Sequence, residues 1–214
     1  MGYALKKRER MTPEVFLAFD RAAPEGEKYE FLDGEVVPWN GDWQSMAGAS
    51  KSHNRVTVTL SGLLFNQLRS KPCEPFGSEQ RVQMPGGSYV YPDVFVACDP
   101  EFVDEQFDTI TNPVVIFEVL SPSTAKKDRT TKFRRYQAIP TLRDYILLEQ
   151  DFMAAYHHAR TEDGQHWLLR VLSQPDEEII LDSIGCRLKL SEIYERVQFA
   201  ATEEDPENEP SNQP

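Results

Sequence analysis

The chain has 214 residues, 40% of them hydrophobic, and a formal net charge of −12. That length suits one compact domain with its own core, and no apolar run approaches the roughly 20 residues that a membrane-spanning helix needs. The acidic total argues against indiscriminate nucleic-acid binding and leaves room only for locally aimed contacts.

The N-terminal MGYALKKRER is charged and leads into no apolar signal core. Lys6 stands where a myristoylation signal on Gly2 would need Ser or Thr. Cys73, Cys98 and Cys186 are far apart in sequence, and none belongs to a CxxC pair. A reduced, cytoplasmic chain without structural zinc is the expectation.

In chain order, Thr12-Pro13-Glu14 predicts a helix start, with Thr as N-cap and Pro at the first helical position; the helix runs to about Ala22. Residues 28–32 and 35–39 flank Asp33-Gly34, a hairpin turn signal. Residues 41–52 read as a loop rich in Gly, Ser and Ala. Val56, Leu60, Leu63, Leu64 and Leu68 recur at helical spacing, so residues 52–68 are predicted helical, with Pro72 just beyond. Residues 76–84 and 89–98 flank Pro85-Gly86-Gly87 as a second hairpin, and residues 99–112 form an acidic loop.

Residues 94–98 and 114–120 are apolar without alternation, as strands buried on both faces are. Ser121-Pro122-Ser123-Thr124 stops the second of these. Ser123 or Thr124 caps a helix running to about Ala138, which Pro140 ends. A strand over 143–148, a third hairpin of 153–159 with 166–172, short strands at 178–181 and 186–188 and a helix over 190–197 complete the pattern. His157 and His158 are adjacent on a strand, point to opposite faces and are read as structural. Residues 1–200 are expected to form a single domain. Residues 201–214, with five acidic residues and no Lys or Arg, are expected to be a disordered tail. Helices mixed with hairpins, rather than strict alternation, give a mixed α+β class.

Two carboxylates interrupt the apolar pattern. Asp93 opens one buried run and Glu118 sits inside another. Burial disfavours their charged forms, so something must compensate them. The candidates are a cation from the following basic segment, a metal ion, or both. Between Lys126 and Arg135 six basic residues face one acid, Asp128. Glu118 alone would also fit a buried ion pair with Arg134 or Lys132. Two carboxylates on neighbouring strands, with a lysine reaching back from the next helix, make a set suited to phosphodiester hydrolysis. A divalent metal held by hard oxygens activates water, and a cation positions the nucleophile or stabilises developing charge. Ser123-Thr124-Ala125-Lys126 matches SxxK of penicillin-recognising serine enzymes, but no KTG follows, and a capping role explains Ser123 better.

Pro92-Asp93, then Glu118-Val119-Leu120-Ser121-Pro122-Ser123-Thr124, then Asp128, Lys132 and Tyr136 resemble the Uma-two family of restriction-endonuclease-like proteins, within the PD-(D/E)XK nuclease superfamily. Tyr29-Glu30, Asp33-Gly34-Glu35 and Ser52-His53-Asn54 extend the resemblance, which covers about Thr12 to Val197. It implies a restriction-endonuclease-like core, a central mixed sheet flanked by helices, with β-hairpins added. It implies Mg²⁺, with Mn²⁺ as a substitute, held by Asp93 and Glu118, with Glu79 as a further ligand. The slot where the superfamily places its lysine holds Leu120, and the resemblance assigns that role to Lys132 on the following helix. His53, Lys126, Arg129 and Arg135 are the candidate DNA contacts. The expected activity is metal-dependent DNA hydrolysis, in a homodimer because cutting both strands needs two sites. The alternative is a catalytically silent member that binds nucleic acid or a protein partner through the same cleft.

Overall fold

The computed structural model describes residues 10–24, 27–39, 50–103, 108–121 and 125–199. The predicted caps Ser123 and Thr124, the loop 41–49 and the tail 201–214 lie outside the described residues.

Helix α1 (Pro13–Arg21) starts as its sequence dictates, with the Val15 N–H donating to the Thr12 hydroxyl. Strands β1 (Tyr29–Leu32) and β2 (Glu35–Pro38) follow, joined by Asp33 and Gly34 at φ 53° and 87°. Both turn residues lie in the left-handed region, as the turn matched to strand twist requires. Helix α2 (Lys51–Leu68) buries Val56, Leu60, Leu64 and Leu68, one face of the period read from sequence.

The predicted hairpin of residues 76–98 is an antiparallel ladder broken midway. Its outer part pairs β3 (Cys73–Gly77) with β6 (Val94–Cys98). Its inner part pairs β4 (Arg81–Met84) with β5 (Ser88–Val90). The two parts belong to different sheets. Gly77 on one arm and Pro92 on the other stand where the ladder breaks, so Asp93 sits at the junction of the sheets. The predicted acidic loop contains the short strand β7 (Thr109–Ile110), parallel to β4. Strand β8 (Pro113–Leu120) is buried almost throughout. A helical segment then runs as α3 (Ala125–Lys127), a π-helical turn (Asp128–Lys132) and α4 (Phe133–Tyr136). Strands β9 (Asp144–Glu149), β10 (Ala155–Arg160), β11 (Trp167–Leu172), β12 (Glu178–Leu181) and β13 (Cys186–Lys189) follow, with a final helix α5 (Leu190–Ile193) shorter than predicted.

The central sheet has six strands in the order β11-β10-β9-β8-β6-β3, parallel between β8 and β9 and antiparallel elsewhere. This is the predicted mixed sheet. One of its faces packs against α2, α5 and the β12–β13 ribbon through Val115, Phe117, Val119, Ile146 and Leu148. The other face carries Ile116, Leu120, Tyr145 and Leu147 and meets α4 together with the five-stranded sheet β2-β1-β5-β4-β7.

Cys73 and Cys98 are cross-strand partners in the β3–β6 ladder and form a disulfide, while Cys186 is free and buried. The expectation of a fully reduced chain is therefore corrected. Spacing gave no CxxC pair, but the hairpin folds the two cysteines opposite each other. The cysteine argument for a reducing compartment goes with it. Among the described residues no helix is long and apolar enough to cross a membrane.

Candidate active site

The register of the β6–β8 ladder positions the two carboxylates. Val94 pairs with Phe117, so the next residues along, Asp93 and Glu118, come abreast at the end of the ladder. The Val119 N–H donates to Asp93 Oδ2 at 2.7 Å, tying the Asp93 carboxylate to the residue beside Glu118. Both acids are buried, at 6% and 2% exposure.

The basic helix supplies the cation. Lys132 Nζ donates to Glu118 Oε1 at 3.0 Å and lies 3.1 Å from Glu30 and 3.4 Å from Asp128. Asp128 and Lys132 bound the π-helical turn, and both are buried. Turns of this kind occur mostly as local bulges, frequently at functional sites. Here the turn and the four-residue spacing aim both side chains at the sheet. Leu120 is a core residue packed on the face shared with Tyr136 and Tyr145. The Tyr136 hydroxyl donates to Glu118 Oε1 at 2.8 Å, and the Tyr145 hydroxyl donates to the Asp128 carbonyl at 3.1 Å. On the other side of the site His53, in the first turn of α2, places Nε2 3.3 Å from Asp93 Oδ1.

Three buried carboxylates, Glu30, Glu118 and Asp128, therefore converge on one buried lysine, and a fourth, Asp93, acts on Glu118 from the neighbouring strand. Burial pushes the Glu118 carboxyl up to about 8; Lys132 opposes that rise, and Asp128, Asp93 and Glu30 add to it. Burial works against the Lys132 ammonium, but Glu118, Glu30 and Asp128 outweigh it and hold its pKa well above the ordinary value. Burial likewise works against charged His53, and the Asp93 hydrogen bond and charge turn the balance upward. Burial, followed by the charge of Glu118, keeps the Tyr136 proton on, so its hydroxyl stays a donor.

This donor set suits a hard divalent cation. It offers carboxylate oxygens in excess over the available positive charge, at a place where two strand ends meet. Among the described residues, no group of three or more His, Cys, Asp or Glu side chains is placed to hold a metal ion. A cation here would draw on Asp93, Glu118 and water, in keeping with the one or two carboxylates that Mg²⁺ commonly uses.

The other sequence candidates sit elsewhere. Glu79 lies in the turn after β3, with its side chain 87% exposed and ion-paired to Lys28. The break in the hairpin turns Glu79 out to solvent between two half-buried neighbours. Arg129 pairs with Glu149 and stacks 4.4 Å over the Tyr156 ring, Arg135 pairs with Asp33, and Lys126 is exposed. His157 turns to Asp144 at 2.7 Å, while the His158 ring packs at a tilt against Phe133. Glu30 was missed as a site residue. Its signal was the one that marked Glu118, a carboxylate inside the buried run Tyr29–Leu32.

A mixed sheet carrying this acidic pair and a lysine delivered from the next helix defines a restriction-endonuclease-like protein. The fold agrees with a solved structure described as a "putative nuclease" from Anabaena variabilis, at a TM-score of 0.68 and 15% identity, covering 88% of this chain and 99% of that one. The chain belongs to the Uma2 family, described as "putative restriction endonuclease", whose model matches residues 13–191. Two relatives come from Synechocystis. The "Uncharacterized protein sll1609" is 41% identical over 155 residues, covering 72% of this chain and 83% of the relative. The "Uncharacterized protein slr1290" is 34% identical over 192 residues, covering 89% and 94%.

Proposed function

We propose that the protein is a metal-dependent endonuclease that hydrolyses DNA phosphodiester bonds. The observation that carries this reading is the convergence of Asp93, Glu118 and Lys132 at the β6–β8 strand ends, with the lysine coming from the helix rather than from position 120. Asp93 and Glu118 would hold Mg²⁺ or Mn²⁺. The bound ion supplies Lewis acidity to the phosphate and lowers the pKa of an attacking water.

The chain's own groups do the rest. Lys132 holds a proton firmly at Nζ and donates it in hydrogen bonds, so it orients the water and stabilises charge developing on the phosphate. Tyr136 fixes Glu118 Oε1, and the Val119 N–H fixes Asp93 Oδ2, so both carboxylates are held in place at the strand ends. His53 sits against Asp93 Oδ1, within reach of a proton leaving the site. In the reaction the attacking water gives up a proton as its oxygen bonds to phosphorus, the bridging P–O bond breaks, and the leaving oxygen takes a proton from solvent. Exposed Lys126 is a direct candidate for backbone contact. Arg129 and Arg135 would have to exchange their partners Glu149 and Asp33 for phosphate.

A second reading, a silent binding protein on the same fold, is favoured by one observation: Glu118 Oε1 is already taken by Lys132 and Tyr136. One comparison separates the two. Mn²⁺ binding and plasmid or oligonucleotide cleavage are measured for the intact chain and for Asp93→Ala. The nuclease reading expects both to be present in the former and lost in the latter. Metal binding without cleavage of any DNA supports the silent reading. Mn²⁺ affinity unchanged by Asp93→Ala removes the metal site itself.

A further inference from the structure

The two margins of the six-stranded sheet are built differently. At one margin, β3 carries Pro75, which has no N–H to donate, together with charged Glu74, and is tied to its neighbour by the Cys73–Cys98 bridge. These are ordinary ways of keeping an edge from pairing. At the other margin, β11 has neither a proline nor a covalent tie, and its one charged residue is Arg170. Its ladder with β10 runs unbroken over six residue pairs, from Trp167 to Leu172. Apart from Arg170, its exposed side chains are apolar: Leu168, Leu169 and Val171 are 51%, 48% and 58% exposed. A long, regular, apolar edge is a template for another strand.

We infer that β11 is a homodimer interface, pairing antiparallel with β11 of a second copy so that the central sheets of two subunits become one. A strand edge is self-complementary under a two-fold axis normal to the sheet, which makes a closed, isologous contact. Such an axis keeps each face on its own side, so residues directly opposite must share a face. The axis must therefore pass through a residue position.

Charge selects which one. An axis at Arg170 sets two guanidinium groups opposite each other, which is destabilising. An axis at Leu168 runs the ladder into the turn that precedes β11. An axis at Leu169 uses the whole strand. Leu169 meets its own counterpart, Val171 meets Trp167 of the second copy, and each Arg170 lies beside a Leu168. The result on one face is a continuous apolar strip of Trp167, Leu169 and Val171 from both chains. The acidic residues 201–214 contain no Val, Leu, Ile, Phe, Trp or Tyr and offer nothing to cover such a strip. Aliphatic Leu169 and Val171 are also poor platforms for stacking bases. The inference does not depend on the nuclease reading.

The test is molar mass by sedimentation on the full chain, with circular dichroism to check folding. The intact chain is expected as a dimer. Leu169→Lys, which brings two charges together on the axis, is expected to be folded and of half the mass. The register is read by oxidising single-cysteine variants. Leu169→Cys is expected to cross-link as a covalent dimer. Leu168→Cys is not, because diagonal positions across a strand pair lie about 7–8 Å apart, beyond disulfide reach. A monomeric intact chain, or a dimer indifferent to Leu169→Lys, overturns the interface. Cross-linking through Leu168→Cys instead overturns the register.

Discussion

The two faces of β8 show what this sheet is for. The face of Val115, Phe117 and Val119 meets α2 in a largely apolar core, its buried charge limited to the His157–Asp144 pair. The face of Ile116, Glu118 and Leu120 meets α4 and the second sheet and encloses Lys132 and its carboxylates. Buried ion clusters are poor sources of stability, because desolvation offsets most of the attraction. The apolar face thus anchors the strand, and the charged face is a burden the fold carries at the place where chemistry is proposed.

Breaking the charged face should have the larger effect. Lys132→Met leaves Glu118, Glu30 and Asp128 without their shared cation inside the protein. Removing one partner of a buried pair destabilises by about 3–5 kcal/mol. A urea titration without added metal should show this, and pairing the change with Glu118→Gln should recover part of it. A full-strength Lys132→Met variant would mean that water already solvates the cluster.

Tyr136→Phe sharpens the same comparison at smaller scale. It deletes the hydroxyl on Glu118 Oε1 and keeps the ring among Leu120, Ile139 and Tyr145. The expected loss is about 1–2 kcal/mol, that of a buried hydrogen bond to a charged or polar partner. Because Tyr136 acts through Glu118, its role in positioning is read separately, as a weakened Mn²⁺ affinity. A loss of stability with unchanged affinity would make it a packing residue only.

Much of this was legible in the sequence. Asp93 and Glu118 were marked by buried patterning and Lys132 by the family resemblance; the ladder register brings the two acids abreast, and the helical segment carries the lysine to Glu118. The hairpin of residues 76–98 was legible as a pairing but not as a bend between two sheets, because periodicity reports burial and not which layer buries a strand. The same blindness hid Glu30. It reaches Lys132 from the five-stranded sheet, across a contact between layers that no local pattern encodes. The disulfide was hidden for a related reason, since Cys73 and Cys98 face each other only once the hairpin registers.

Glu79 gives the smallest effect and the sharpest contrast. Like Asp93 it is a carboxylate beside a strand of the central sheet, and sequence alone offered both as metal ligands. Asp93 is 6% exposed and bonded to the Val119 N–H, whereas the side chain of Glu79 is 87% exposed and paired with Lys28. An exposed pair of that kind is screened by solvent and contributes roughly 0–1 kcal/mol. Glu79→Ala should therefore leave Mn²⁺ affinity unchanged and shift the urea midpoint only marginally, while Asp93→Ala removes metal binding. If Glu79→Ala instead weakened the metal, the turn after β3 would have to fold inward in solution, and the division between a buried acidic centre and a solvated rim would fail.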